Sequence, residues 1–138
     1  MLGARIKDLG FRGGIFGGVC MKYTELLVWQ KAMDLVAETY QLTRLLPSDE
    51  RFGLVTQMQR AAVSIPSNIA EGHGRKSTGA YSNHLSIAAG SLAELETQFH
   101  IAMRLNYVEA TCIEPLLLQT AEIGRMLSGL RSSLNPNS

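Results

Sequence analysis

Cysteine, proline and aromatic residues are all scarce in this chain of 138 residues, and its formal net charge is only +1. Two cysteines, Cys20 and Cys112, are too few for a disulfide framework or a cysteine-based zinc cluster, and they favour a reducing cytoplasm. Four prolines and 7% aromatic residues are few for an all-β domain. The small net charge argues against a protein that binds nucleic acid through its overall field. No run approaches about 18 uncharged apolar residues, so no transmembrane helix is predicted.

The first twenty residues differ from the rest of the chain. They hold six glycines and show neither a helical nor a strand period. Charged residues such as Asp8 interrupt the apolar run that a secretory signal needs, and no cleavage site of small residues follows. We predict a flexible N-terminal extension over residues 1–21 and a folded domain over residues 22–138, with translation starting at Met1 or Met21. The domain carries ten basic and eleven acidic residues, a net charge of −1.

Hydrophobic residues make up 46% of the chain, and beyond residue 21 they recur every three or four positions, which is typical of helices in a bundle. No segment shows the sustained alternation of a strand. The links between the predicted helices are short, and short links favour antiparallel neighbours. The predicted fold class is therefore all-α, an antiparallel up-down-up-down four-helix bundle. The helices are predicted from Thr24 to Leu45, from Ser48 or Asp49 to Gly72, from Ser77 to Leu105 and from Thr111 to Leu134.

Each predicted helix has one apolar stripe that should face the core. In helix 1 the stripe is Leu26, Trp29, Met33, Val36 and Tyr40, with Trp29 as an internal anchor. For helices 2, 3 and 4 in turn, the predicted core residues are Leu54, Met58, Ala61, Ala62, Ile65 and Ile69; Tyr81, Leu85, Ala88, Leu92, Leu95, Phe99 and Ala102; and Ile113, Leu116, Thr120, Ile123, Leu127, Leu130 and Leu134.

Pro66 lies inside helix 2, where it removes one backbone hydrogen bond and should kink the helix. The sequence leaves two interpretations of this kink open. Either the bend shapes a groove, or it wraps helix 2 around its neighbours.

A second, half-polar stripe runs beside the core stripe on helices 2 and 3. Antiparallel pairing of the two helices would place these residues side by side, and small or amide side chains are readily satisfied across a contact between subunits. The stripe therefore predicts a polar subunit interface, with an ordinary solvated surface as the alternative. The candidate interface residues are Gln57, Ser64, Asn68, Ser91, Glu94 and Gln98.

No chemical motif assigns a nucleophile, a base or a set of metal ligands. The run from Gly72 to Gly79 lacks the glycine that a phosphate-binding loop needs directly before its lysine, and it joins two helices. Arg75 and Lys76, with the free N–H groups that open helix 3, indicate either an anion site or a solvated turn. The three histidines lack ligand spacing. We predict no enzyme activity, no metal and no cofactor.

A family resemblance is carried by Leu27–Ala32 (LVWQKA), then Leu46-Pro47 and Glu50, then Gln57–Gly72 (QMQRAAVSIPSNIAEG) and Ala88–Gln98 (AAGSLAELETQ). In order and spacing they make residues 22–134 resemble the four-helix-bundle family of the 23S rRNA intervening-sequence protein. The resemblance implies an antiparallel bundle that assembles as a ring-shaped homopentamer, and it brings no catalytic residues with it. The first hypothesis is therefore a non-enzymatic protein of the bacterial cytoplasm whose main property is oligomerisation.

A related group, the accessory variability protein of diversity-generating retroelements, suggests a second hypothesis. The resemblance implies that such proteins bind nucleic acid and a reverse transcriptase through basic surfaces. The net charge of −1 departs from that strongly basic type, so binding of RNA or DNA would need a local patch repeated around the ring. The candidate nucleic-acid or anion-binding residues are Arg51, Arg60, Arg75, Lys76 and Arg104.

Overall fold

Four α-helices make up most of residues 21–134, the part of the chain that the computed structural model describes. Single 3-10 turns at Tyr23–Glu25 and Ser48–Glu50 precede the first and second helix. Within these described residues there is no strand, and no helix is long and apolar enough to cross a membrane. The helices are α1 Leu27–Thr43, α2 Leu54–His73, α3 Thr78–Arg104 and α4 Ala110–Leu134.

The predicted all-α four-helix bundle is confirmed. Each helix packs on the helices before and after it in the chain, and α1 also packs on α4, which closes the bundle. The links are residues 44–53, 74–77 and 105–109, and links of this length join antiparallel neighbours. In the last link Asn106 has a φ of 62°, a left-handed conformation that asparagine tolerates better than most residues.

Two helices begin later than the sequence predicts. The extended backbone of Leu26 (φ −73°, ψ 127°) separates the first 3-10 turn from α1, so α1 begins at Leu27 rather than at Thr24. The turn at Ser48–Glu50 is likewise separate from α2, which begins at Leu54. There the Glu50 carboxylate accepts a hydrogen bond from the Leu54 N–H at 3.1 Å. Because a carboxylate supplies the acceptor for a free N–H group, it favours this start of the helix.

The core stripes predicted for α2, α3 and α4 are confirmed. All twenty of their residues are buried, including Tyr81 and Phe99, the largest side chains of the core. The predicted start of α3 is also confirmed to within one residue, since the Ser77 side chain caps the helix by accepting from the Ala80 N–H at 3.1 Å. A period of 3.6 residues therefore locates the core on these three helices.

The core stripe predicted for α1 is only partly confirmed: Leu26 is buried, Trp29 and Val36 pack against the core from its edge, and Met33 and Tyr40 are not in the core. The buried face follows a neighbouring stripe, whereas Met33 and Tyr40 are 43% and 41% exposed and Trp29 and Val36 are only half-buried. The buried stripe includes the small residues Ala32 and Thr39, and Trp29 and Val36 lie at its edge. The buried residues of α1 are Val28, Ala32, Leu35, Thr39, Leu42 and Thr43.

Candidate functional site

The flank between α2 and α3 contains a chain of side-chain hydrogen bonds. The hydroxyl oxygens of Ser64 and Ser91 lie 2.8 Å apart, one on each helix. The amide nitrogen of Asn68 donates to the Ser64 carbonyl at 2.9 Å and to the Ser64 hydroxyl at 3.0 Å. Nδ1 of His84 lies 3.1 Å from Oδ1 of Asn68. Three of the six predicted interface residues are thus brought together, and all four side chains are half-buried.

The positions of the protons in this series of hydrogen bonds follow from which atoms can donate. Oδ1 of Asn68 has only lone pairs, so Nδ1 of His84 carries the proton and donates to it. When the imidazole is neutral, Nε2 therefore keeps a lone pair. Only one of the two hydroxyl protons is needed between Ser64 and Ser91, so the other can serve a further acceptor.

The sequence did not identify His84 as a member of this chain. When Ser64 of α2 lies opposite Ser91 of α3, the antiparallel helices bring Asn68 within about one helical turn of His84. This alignment is the sequence feature that could have predicted the contact.

The remaining predicted interface residues lie further along the same flank. Gln98 is buried, and its amide nitrogen makes a long contact of 3.4 Å to Oε2 of Glu94. The Oε1 atom of Gln98 has no hydrogen-bond partner within residues 21–134. Glu94 and Gln57 are exposed, and within residues 21–134 Gln57 makes no side-chain hydrogen bond to the others.

Two exposed aliphatic side chains border the polar residues. Ile87 and Ile101 lie on the same side of α3 as Ser91 and Glu94, and they are 45% and 40% exposed. We call the surface formed by Ile87, Ser91, Glu94, Gln98 and Ile101 the α3 face. It combines ordered polar groups with apolar side chains that nothing in the described protomer covers.

The predicted basic residues do not form one patch on a single protomer. Arg51 precedes α2 and Arg104 ends α3, whereas Arg75 and Lys76 lie in the α2–α3 link at the other end of the bundle. The 20 residues of α2 separate the two ends by about 30 Å. Arg60 is exposed on α2 between them. Arg75 is also near a carboxylate, since its guanidinium lies 3.8 Å from Glu71.

A second polar contact, which the sequence analysis did not predict, connects two of the links between helices. The Tyr107 hydroxyl donates to Oε2 of Glu50 at 2.7 Å, while Oε1 of Glu50 accepts from the Leu54 N–H. The Leu54 N–H and then the Tyr107 hydroxyl stabilise the carboxylate and lower the pKa of Glu50. The same bond, together with partial burial and the nearby carboxylates, raises the pKa of Tyr107. This contact joins the α1–α2 link to the α3–α4 link.

Neither polar cluster has the arrangement of a hydrolytic or metal centre. His84 bonds to an amide oxygen, and no hydroxyl lies within hydrogen-bond distance of its ring among the contacts of residues 21–134. Within these residues, no three side chains of histidine, cysteine, aspartate or glutamate are grouped to hold a metal ion. What the α2–α3 flank offers chemically is a set of fixed donors and acceptors beside apolar side chains.

Comparison with known families gives a match over most of the bundle. A family model described as the 23S rRNA-intervening sequence protein matches residues 24–129. The chain belongs to this family. The match includes the complete hydrogen-bond chain from His84 to Ser91, and it begins after the glycine-rich first twenty residues.

The 23S rRNA-intervening sequence family member also shares its fold with a solved structure. That structure, determined at 1.70 Å, is a protein of unknown function from the S23 ribosomal protein family of Bacteroides thetaiotaomicron VPI-5482. The two chains are 24% identical and superpose with a TM-score of 0.71, over 76% of this chain and 98% of the other. Comparison with curated proteins finds no match.

Proposed function

We propose that this family member is a non-enzymatic cytoplasmic protein whose main property is self-assembly into a ring of five copies. The observation that carries the proposal is the flank between α2 and α3. Its small polar side chains are held by hydrogen bonds between Ser64 and Ser91 and between His84 and Asn68, next to exposed isoleucines of the α3 face.

The chemistry of this flank suits a contact between subunits better than a solvated surface. Interface cores combine apolar anchors with hydrogen-bonded polar groups, and the flank provides both. The buried Oε1 of Gln98 supports the same proposal, because a buried acceptor without a partner costs about 1–3 kcal/mol. A donor from a second copy would remove that cost.

The proposal is tested with Asn68→Ala and Glu94→Ala, using light scattering for mass and circular dichroism for helix content. We expect wild-type protein with about five times the protomer mass of 15.1 kDa. Each variant should lose oligomer before it loses helix, because truncation leaves a polar partner unsatisfied at a cost of about 1–3 kcal/mol.

Glu114→Ala is the matched control, because Glu114 is an exposed glutamate on α4, outside the proposed interface. It should keep the wild-type mass. A monomeric wild-type protein would contradict self-assembly, and wild-type mass and melting for both flank variants would remove Asn68 and Glu94 from any interface.

Binding of RNA or DNA is the second candidate function. Arg75 and Lys76 favour it, because both are exposed beside the N-terminus of α3 and a ring would repeat them on every copy. A titration with a single-stranded RNA at several salt concentrations distinguishes this function from a scaffold. Phosphate contacts give an affinity that falls steeply with salt, and Lys76→Glu should weaken it further, whereas a scaffold shows neither effect.

A further inference from the structure

A continuous apolar groove runs along the bundle between α1 and α2. Two cavities of about 300 Å³ and 440 Å³ share Val63 of α2 and open on the outside of the bundle. Pro66 is buried in the lining of the first cavity, so the proline of α2 contributes to the groove. We call this surface the α1–α2 groove; its apolar lining includes Trp29, Met33, Val36, Tyr40, Val63 and Pro66.

The groove is lined by residues of α1 that the sequence predicted to be buried in the core and that are partly or largely exposed in the structure. Trp29, Met33, Val36 and Tyr40 form a regular apolar stripe, yet the core of the protomer uses the neighbouring stripe of α1. A row of large apolar side chains on one face of a monomer is typical of a protein contact. Met33 and Tyr40 of this stripe are therefore left open in the described protomer, whereas Trp29 and Val36 are half-buried against the core.

The α1–α2 groove and the α3 face each carry one charged side chain, of opposite sign, and they extend over comparable lengths. Arg60 is the charged residue in the lining of the two cavities, and Glu94 is the charged residue of the α3 face. Neither forms an ion pair in the described part of the chain. Trp29 and Tyr40 are about 16 Å apart along α1, and Ile87 and Ile101 are about 21 Å apart along α3.

The positions of the two surfaces also suit a closed ring. The groove lies between α1 and α2, and the α3 face lies on the α2 side of α3, so they occupy adjacent sides of the bundle. Adjacent sides of a four-helix bundle face directions about 90° apart. When one such side binds the other side of the next copy, the contact repeats with the same rotation; a ring of five copies needs a rotation of about 72°, roughly 18° less than this angle.

We propose that the α1–α2 groove of one copy receives the α3 face of the next copy, with Arg60 of the groove near Glu94 of that face. The inference rests on the proposed self-assembly and specifies the pairing of surfaces that produces it. The contact is head-to-tail, so each copy uses its groove once and its α3 face once.

The first test introduces a charge into each surface. Val63→Asp places a carboxylate in the groove, and Ile101→Asp places one on the α3 face. Leu118→Asp is the matched control, because Leu118 is 73% exposed on α4, away from α2. With wild-type helix content by circular dichroism, both surface variants should lose the wild-type mass in light scattering and the control should keep it.

The outcomes separate this inference from the proposed function. A monomeric wild-type protein overturns both. If the wild-type protein is an oligomer and the Val63→Asp variant has the same mass, the proposed self-assembly stands. The groove then does not hold the α3 face, and the inference is overturned. If the Val63→Asp variant loses helix content, Val63→Lys and Met33→Asp repeat the test at the same surface.

The second test mixes the two variants. The Val63→Asp protein retains an intact α3 face and the Ile101→Asp protein retains an intact groove, so a head-to-tail contact allows one intact pairing between them. The mixture should give a species of about twice the protomer mass that neither variant forms alone. Absence of that species would show that the groove does not receive the α3 face and would overturn the inference.

Discussion

At the residue scale, Gly72 sets how closely α2 approaches α3. A side-chain carbon at this position would lie 2.8 Å from Cβ of His84 and 2.9 Å from the ring of Tyr81. Gly72 is buried, and both neighbours are fixed on α3 in the first turns after the link. The glycine thus permits the helix approach in which His84 meets Asn68.

Replacing Gly72 by alanine should destabilise the protein, because the added methyl group must displace α3. Overpacking of this kind costs about 1–3 kcal/mol. Gly90→Ala is the matched control inside α3, where nothing lies within 4 Å of the added carbon. It should stabilise the helix by up to about 1 kcal/mol. Urea unfolding of both variants measures the free energies, and an equal effect of the two changes would contradict the close approach.

The contact of Glu50 with Leu54 and Tyr107 should make stability depend on acid pH. The folded state lowers the pKa of Glu50, so the contribution of this carboxylate is present above its ordinary value of 4.5 and is lost as the pH falls through the lower folded value. We expect the stability difference between wild type and Glu50→Gln to shrink on acidification below about pH 4.5.

Urea unfolding across this pH range measures the difference between the two proteins. Glu109→Gln serves as the control, because Glu109 is exposed in the α3–α4 link close to Tyr107 in sequence. A difference between wild type and Glu50→Gln that stays constant from neutral pH into acid would show that the carboxylate is not stabilised in the folded state.

At the scale of the helix, α1 is the case in which hydrophobic periodicity does not determine which face is buried. On α2, α3 and α4 one apolar stripe stands out, and the burial follows it. On α1 two stripes lie side by side, one with Trp29 and Tyr40 and the other with Ala32 and Leu35. Both have helical spacing, and the choice depends on which side chains fit against α2 and α4. That choice is a property of tertiary packing, so the sequence pattern of α1 alone does not contain it.

The two stripes of α1 should differ in their effect on unfolding. Leu35 is fully buried, so Leu35→Ala should cost about 2–5 kcal/mol. Met33 is largely exposed within the α1–α2 groove, so Met33→Ala should cost the fold less than about 1 kcal/mol. Both are measured by urea unfolding on the Val63→Asp background, where assembly should not contribute. A larger loss of unfolding free energy for Met33→Ala than for Leu35→Ala would support the core stripe that the sequence predicted.

The candidate interface was partly predictable for the same physical reasons. Ser64, Asn68 and Ser91 share a flank because helical periodicity and antiparallel pairing place them there. The participation of His84 depends on the exact register near the link, and the burial of Gln98 depends on how far α2 covers α3. Neither follows from spacing along one helix. The basic residues were grouped by charge alone, and the length of α2 keeps them apart.

At the scale of the whole molecule, residues 1–20 lie outside the described part of the chain, and the predicted flexible extension stays a prediction. A chain that starts at Met21 keeps that buried methionine and the entire bundle. Because the removed residues lack a helical or strand period, the shortened protein should melt within a few degrees of the full chain. Thermal unfolding followed by circular dichroism measures this, and a large drop would show that the segment contributes to the fold.

The connectivity of the bundle has a consequence for how it folds. Three of its four helix contacts join consecutive helices, and only the contact of α1 with α4 joins distant parts of the chain. Closing a short link costs little chain entropy, so hairpins of neighbouring helices can form before the ends meet. Proteins dominated by such local contacts fold within microseconds to milliseconds. A protomer would then complete its bundle long before it encounters a second copy, and assembly would join folded units.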